Sequence, residues 1–359
     1  MNKIILVIFF LFSTLDAAKV SFNVDEIATG LQSPWGMTFL NDKEMLITQK
    51  NGKTVLLNVK TKELKNVKNS FEVHYYRQGG LLDVKVSPNY KLDGWIYFTY
   101  VKKIDGEGVT VLARTKFKEN ILYSSEELIV TKSGTNTGAH FGSRIAFDED
   151  GYVYFGVGDR GYRPNAQDLN THAGSIIRLH LDGKIPKDNP FVGKSGLDEI
   201  YSFGHRNPQG LFYDKLSKNL YSNEHGPRGG DEINIIKKGK NYGWATISYG
   251  KEYGSYKSVG MGTKKQGMEN PIKVYIPSIA PSSLIVYSGK VFPQYKGNIF
   301  SGALALRHLN RVVLDNDSNV VEEERLLTGF DERVRCVIEG PNGLIYLSTD
   351  SGKIIRIKP

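Results

Sequence analysis

The sequence predicts an all-β fold, a six-bladed β-propeller, and three observations carry that reading. A turn followed by a short apolar-aromatic run recurs six times along the 359 residues. After each comes a second alternating run, so that hairpins repeat at intervals. Sustained helical periodicity is absent throughout. The six copies are 42–47, 93–98, 150–155, 218–221, 297–300 and 342–347, with second runs such as 54–57, 175–179 and 353–357. Such spacing leaves roughly 57 residues per unit, room for a four-stranded blade with one long loop. Seven blades, with a degenerate one hidden in 245–290, is the competing architecture.

Taken in order, the chain opens with a targeting segment. Lys3 forms a positive start, Ile4 to Leu15 is an apolar run broken only by Ser13 and Thr14, and Ala17-Ala18 supplies small residues for cleavage. Residues 1–18 therefore read as a signal peptide and the location as periplasmic or secreted. Nothing later is long and apolar enough to span a bilayer, so no stable membrane insertion is expected. Residues 19–359 read as one propeller domain. The formal net charge of +9 is spread over scattered lysines without an arginine-rich block, which argues against nucleic acid. The only cysteine, Cys336, excludes an internal disulfide and any thiol-based metal site.

Four stretches hold more polar chemistry than a propeller core needs. Gln78 precedes a predicted strand in the relation that His140 bears to the next blade. His140 lies between small residues at a strand start, where an imidazole can accept a proton from a hydroxyl. Asp159 ends the strand from Tyr152 and exits toward the same face, either to orient a partner or to cap a turn. Between Tyr201 and Trp244, Arg206, Asn207, Glu224, His225, Asp231 and Glu232 crowd around Gly226-Pro227 and Gly229-Gly230. Bent backbone beside carboxylates suits calcium, a hard cation that takes oxygen ligands. Arg333 and Arg335 alternate, so both guanidiniums lie on one side of an extended segment. With no obvious acidic stripe nearby they point to an anionic ligand, or else to a charged strand edge.

Five of these segments, GAHFGSRIAF, GVGDRG, YSFGHRNPQG, NEHGPRGGDEIN and KGKNYGW, occur together and in order. With them the chain resembles the soluble glucose/sorbosone dehydrogenase family from about Leu31 to the C-terminus. It is most similar to the bacterial aldose sugar dehydrogenases that use pyrroloquinoline quinone (PQQ). The resemblance implies a six-bladed propeller and oxidation of aldose sugars at the anomeric carbon to lactones. It implies PQQ and calcium as cofactors, with a soluble cytochrome or quinone as electron acceptor. His140 matches the base that takes the proton of the anomeric hydroxyl. Gln78, Asp159, Arg206 and Asn207 match cofactor-lining positions, and so, less closely, does Tyr253. Arg333 and Arg335 match a pair that meets the cofactor's carboxylates and reacting oxygens. Gly226 and Pro227 match the turn whose carbonyls hold the cofactor's calcium, while Glu232 and Tyr242 match ligands of a second, structural calcium.

The chain also departs from the family pattern. Ala305 stands where a lysine is usual, with Arg307 two residues on as a substitute, and Cys336 stands where an aspartate is usual. Two other classes of function stay open at this level. One is a calcium-dependent sugar-lactone hydrolase in which His140 and Asp159 activate water. The other is a propeller that only binds a sugar or a protein.

Overall fold

The computed structural model describes residues 21–359, so the segment read as a signal peptide lies outside the described residues. Its strands form six four-stranded antiparallel sheets. Blade 1 runs through Pro34–Phe39, Glu44–Gln49, Thr54–Asn58 and Leu64–Val67, and the next four blades follow in chain order. Each repeated apolar-aromatic run is the second strand of a blade, as in Tyr152–Val157 and Ile345–Thr349. Seven blades are excluded: residues 245–270 are an irregular excursion of blade 4 without a strand, returning at Lys273–Tyr275.

The sixth blade closes the ring. Val334–Glu339, Ile345–Thr349 and Ile354–Lys358 supply three of its strands, and Asn23–Ala28 from the other end of the chain supplies the outermost. Asn23 pairs with Lys358 and Val24 with Ile357. This pairing leaves no blade short of a strand, which is how radial repetition protects sheet edges.

Alternation along the strands places apolar side chains on both faces of each blade, and six apolar clusters fill the six gaps between neighbours. Leu46, Leu56, Leu81 and Phe98 join blades 1 and 2, for example, and Ile27, Met37, Met45 and Tyr346 join blades 6 and 1. Successive gaps hold Tyr97 with Phe155, Leu211 with Ile176, Leu284 with Ile233, and Phe300 with Leu347. The core is thus divided among interfaces, and the innermost strands, Pro34–Phe39, Leu81–Val86, Ile145–Phe147, Pro208–Asp214, Pro281–Val286 and Val334–Glu339, surround a central channel.

A buried ion pair divides that channel. Arg144 Nη1 donates to Asp83 Oδ1 at 2.7 Å, and Nη2 donates to the carbonyls of Trp35 at 3.0 Å and Arg335 at 2.9 Å. Its Nε reaches the Gln209 carbonyl at 3.2 Å, while Ile145 N donates to Asp83 Oδ2 at 2.9 Å. Cys336 Sγ lies 3.6 Å from Arg144 Nη1. With both carboxylate oxygens and all three guanidinium nitrogens engaged, the cost of burying this charge pair is offset. It separates an upper cavity from a lower one.

Candidate active site

The upper cavity has a volume of about 180 Å³ and takes residues from several blades, among them Lys50, Gln78, Asn207, His225, Arg333 and Arg335. These side chains come from loops and strand starts at one end of the innermost strands, so the ring topology gathers groups up to 285 residues apart (Lys50 to Arg335).

His140 does not line this cavity itself but adjoins it through two lining residues, its chain neighbour Phe141 and its hydrogen-bond partner Gln78. Its main-chain N donates to Gln78 Oε1 at 2.7 Å, and its Nδ1 lies 2.6 Å from Asp159 Oδ1. Asp159 is itself fixed by Gly161 N at 2.7 Å and by Trp244 Nε1 at 2.6 Å. Burial pushes the Asp159 carboxyl up, but the hydrogen bonds from His140, Gly161 and Trp244 outweigh it, and the net direction is down. An ionised Asp159 can only accept, so Nδ1 carries a proton, and in the neutral ring this leaves the lone pair on Nε2. Both sequence readings of Asp159 hold: it caps the turn at Gly161 and it orients the histidine.

The local backbone explains the glycines in the two segments. His140 has φ +52°, in the left-handed region where a histidine is uncommon. A Cβ on Gly158 would meet the His140 carbonyl at 2.4 Å and the Arg206 carbonyl at 2.9 Å. Glycine at 158 therefore lets the three chain segments bearing His140, Asp159 and Arg206 close on one another.

A second histidine lines the cavity. His225 Nε2 lies 2.8 Å from the Pro281 carbonyl, and burial, with Arg206 beside it, pushes its pKa down to about 3. It is neutral at working pH and a weak base, whereas His140 has an ionised partner to stabilise the imidazolium. The geometry thus favours His140 as the proton acceptor.

The arginine pair is built as the alternation predicts, with one addition. Arg333 Nε donates to Asp350 Oδ2 at 2.8 Å, and Arg335 donates to Oδ1 at 2.8 Å and Oδ2 at 3.0 Å. The acidic partner missing from the sequence reading is Asp350, on the neighbouring strand end. Lys50 adds a third cation; its Nζ donates to the Arg77 carbonyl at 2.5 Å, and burial, reinforced by Arg335, holds its ammonium below the usual range. Three cations facing one carboxylate leave an excess of positive charge at the cavity. Lys50, Asp350 and Trp244 were not legible as site residues, because nothing local distinguishes them from surface charges or a core indole.

Arg206 sits differently from its neighbours. Its Nη1 donates to the carbonyls of His225 at 3.1 Å and Gly226 at 2.8 Å, while its buried Nε has no partner among the described residues. It lines a second, small cavity of about 20 Å³ together with Glu224, Gly226, Glu232 and Tyr242. Asn207, by contrast, faces the upper cavity, with Oδ1 accepting from Gly142 N and Gln209 Nε2.

The small cavity is an acidic one. Glu224 accepts from His205 Nδ1 at 3.0 Å and from Arg206 N at 2.7 Å. Glu232 accepts only from Asn234 Nδ2, at 3.2 Å, and burial with the charge of Glu224 beside it pushes its carboxyl up. The side chain of Tyr242 offers nothing to a metal here: its hydroxyl donates to the Ile235 carbonyl at 2.6 Å and accepts from Lys237 N at 2.8 Å. Only the Tyr242 carbonyl remains free, and the Pro227 carbonyl likewise accepts no hydrogen bond among the described residues. No group of three or more His, Cys, Asp or Glu side chains with metal-holding geometry occurs among the described residues. Any cation here would therefore draw on main-chain oxygens.

Two expectations are corrected. Tyr253 is 64% exposed on the excursion of blade 4 and lines neither cavity; its neighbour Glu252 pairs with Arg163. Arg307 does not replace the lysine absent at Ala305; it pairs with Asp331 at 2.9 Å and is half-exposed. Leu304 is the residue that reaches the upper cavity from that segment.

A propeller with a histidine–carboxylate pair beside a cation-lined cavity and an acidic metal-sized pocket defines the class of the protein. The model of the glucose/sorbosone dehydrogenases matches residues 31–356, and the chain belongs to that family. The aldose sugar dehydrogenase YliI of Escherichia coli is 36% identical over 355 residues, covering 97% of this chain and 95% of that protein. Quinoprotein glucose dehydrogenase B of Acinetobacter calcoaceticus is 27% identical, covering 93% and 87%. Among solved structures, the soluble aldose sugar dehydrogenase of E. coli in its apo-form superposes with a TM-score of 0.91 at 35% identity, covering 94% of this chain and all of that one. The PQQ-bound aldose sugar dehydrogenase of Streptomyces coelicolor superposes with a TM-score of 0.79 at 25% identity, covering 94% and 98%.

Proposed function

We propose that this protein is an exported PQQ- and calcium-dependent dehydrogenase that oxidises aldose sugars at the anomeric carbon to lactones. The observation that carries the reading is the His140–Asp159 pair beside a cavity holding three cations. The residues present fit the cofactors: PQQ is a flat tricarboxylate, and Lys50, Arg333 and Arg335 exceed the one carboxylate that faces them. The unpartnered Nε of Arg206 and the free carbonyls of Pro227 and Tyr242 are further groups aimed at something not of this chain. When bound, the quinone supplies the hydride-accepting carbonyl and calcium supplies Lewis acidity toward it.

What this chain's own groups do follows from their geometry. Nε2 of His140 takes the proton of the anomeric hydroxyl. Asp159 keeps the ring in the tautomer that can do so and stabilises the imidazolium. Arg333 and Arg335, preorganised by Asp350, stabilise negative charge in the cavity. Asn207 lines the upper cavity, Arg206 lines the small one beside it, and Gln78 holds the His140 backbone in its left-handed conformation. Gly226 and Pro227 supply carbonyls to one calcium, and Glu232 with the Tyr242 carbonyl to a second.

The test is dye-linked oxidation of glucose by purified protein reconstituted with PQQ and calcium. Turnover that needs both cofactors is expected. A lactone hydrolase or a sugar-binding propeller would give none, and neither assigns a common purpose to the three arginines. The signal peptide is tested separately by expression with and without residues 1–18 and fractionation of the periplasm.

A further inference from the structure

The lower half of the channel is a second cavity, of about 510 Å³, on the far side of the Asp83–Arg144 plug. It is built from the ends of all six innermost strands, and its wall is mainly apolar: Phe39, Val86, Phe212, Ile285 and Ile338. One cation interrupts that wall. Lys85 follows Asp83 by two residues on the same strand, so its side chain enters the channel one layer beyond the plug.

Lys85 has no carboxylate within salt-bridge distance among the described residues. Its Nζ donates to the Ile145 carbonyl at 3.2 Å and sits 5.5 Å from the centre of the Phe212 ring. An ammonium has three donors, and two are left facing the cavity. The two acids nearby are already used. Asp83 is held by Arg144 and Ile145 N, and Glu339, at the rim, accepts from Ser288 N at 2.9 Å. Burial holds the Lys85 ammonium below its usual range, as expected for a cation without a counter-ion.

We propose that the lower cavity is a second ligand site, distinct from the sugar site, for a small carboxylate with an apolar or aromatic body. The carboxylate meets the free donors of Lys85, and the body lies against Phe39, Phe212 and Ile338. A volume of this size, mostly apolar with one charged anchor, is typical of small-molecule sites. A neutral ligand would leave the ammonium unpaired, and a fully polar anion such as phosphate would gain nothing from the wall. The occupant therefore needs both parts.

The probe is 4-phenylbutyrate, titrated calorimetrically into the full-length protein, with 4-phenylbutyramide and inorganic phosphate in parallel. Saturable one-to-one binding of the carboxylate is expected, with the amide and phosphate each at least tenfold weaker. Lys85→Met should lose at least tenfold in affinity while keeping dye-linked sugar oxidation, because the plug separates the two cavities. Ile338→Trp, which fills the cavity and keeps the lysine, should lose binding as well and guards against a Lys85 variant that folds poorly. Absence of saturable binding would overturn the proposal. So would wild-type affinity in either variant, or phosphate binding as tightly as the carboxylate.

Discussion

In the proposed reaction His140 takes the proton, and two features of its setting support that role. Its Nδ1 is bonded to a carboxylate that stays ionised, and its backbone is held at φ +52° by Gln78. His140→Ala should fold and bind quinone, yet lose sugar oxidation by about two to four orders of magnitude, mainly in the rate of cofactor reduction. Stopped-flow reduction by excess glucose measures this; a near wild-type rate would remove His140 from the mechanism. His225→Ala should lose far less, because a group with a pKa of about 3 is a poor acceptor. The pH dependence has a definite sign. The folded Asp159 is depressed, so its contribution to stability is present above the ordinary carboxylate range and is lost only as pH falls through a lower value. A fall in rate on mild acidification therefore does not report loss of the Asp159 charge. Arg335→Lys should weaken quinone binding or slow reduction, since Arg335 holds Asp350 through two of its nitrogens and an ammonium lacks that fork. Wild-type quinone titration of this variant would leave Arg335 as no more than a partner of Asp350.

At the scale of an element, the informative piece is the turn between the strands Asn219–Glu224 and Asp231–Ile236. Asp231 accepts from Gly226 N at 2.8 Å, Ala280 N at 2.7 Å and Ser278 Oγ at 3.0 Å, which fixes the turn independently of any metal. The turn in turn places Glu224 and Glu232 across one small cavity. Two carboxylates buried side by side disfavour each other's charge, and a divalent ion relieves both at once. Calcium should therefore raise the melting temperature of the quinone-free protein, and Glu232→Gln should abolish most of that rise while leaving the turn intact. Removal of calcium by a chelator should abolish sugar oxidation, and calcium, rather than zinc, should restore it. Full activity after verified removal would count against the metal assignment. The sequence made this turn conspicuous through its glycines and carboxylates. It did not reveal that the Tyr242 hydroxyl is consumed by Ile235 and Lys237, since that depends on how the next loop folds back.

For the whole molecule, closure of the ring is the feature that stability depends on. Ile27, on the strand contributed from the N-terminal side, is buried between blades 6 and 1. Ile27→Ala should destabilise the protein by about 2–5 kcal/mol, the range for deleting a buried aliphatic side chain. Urea unfolding measures it, and a change below about 1 kcal/mol would mean that the closing strand is not coupled to the core. No helix among the described residues is long and apolar enough to cross a membrane.

The six-fold repeat of turn and apolar run was sufficient to specify the propeller, because each blade is made of local hairpins whose alternation is written in adjacent residues. The same local logic made His140, Asp159 and the Arg333/Arg335 pair visible, since strand ends and side-chain alternation are properties of short segments. What only the tertiary structure decided is which groups meet across the ring. Asp350 meets the two arginines from the next strand of their own blade, whereas Lys50 beside them, Trp244 on Asp159 and Arg144 across the channel come from different blades or from loops folded back. Their pairing depends on blade angle and closure, which no short stretch of sequence encodes. For the same reason Tyr253 and Arg307 were misplaced: Tyr253 lies exposed on the excursion of blade 4, and Arg307 pairs with Asp331 from a distant turn.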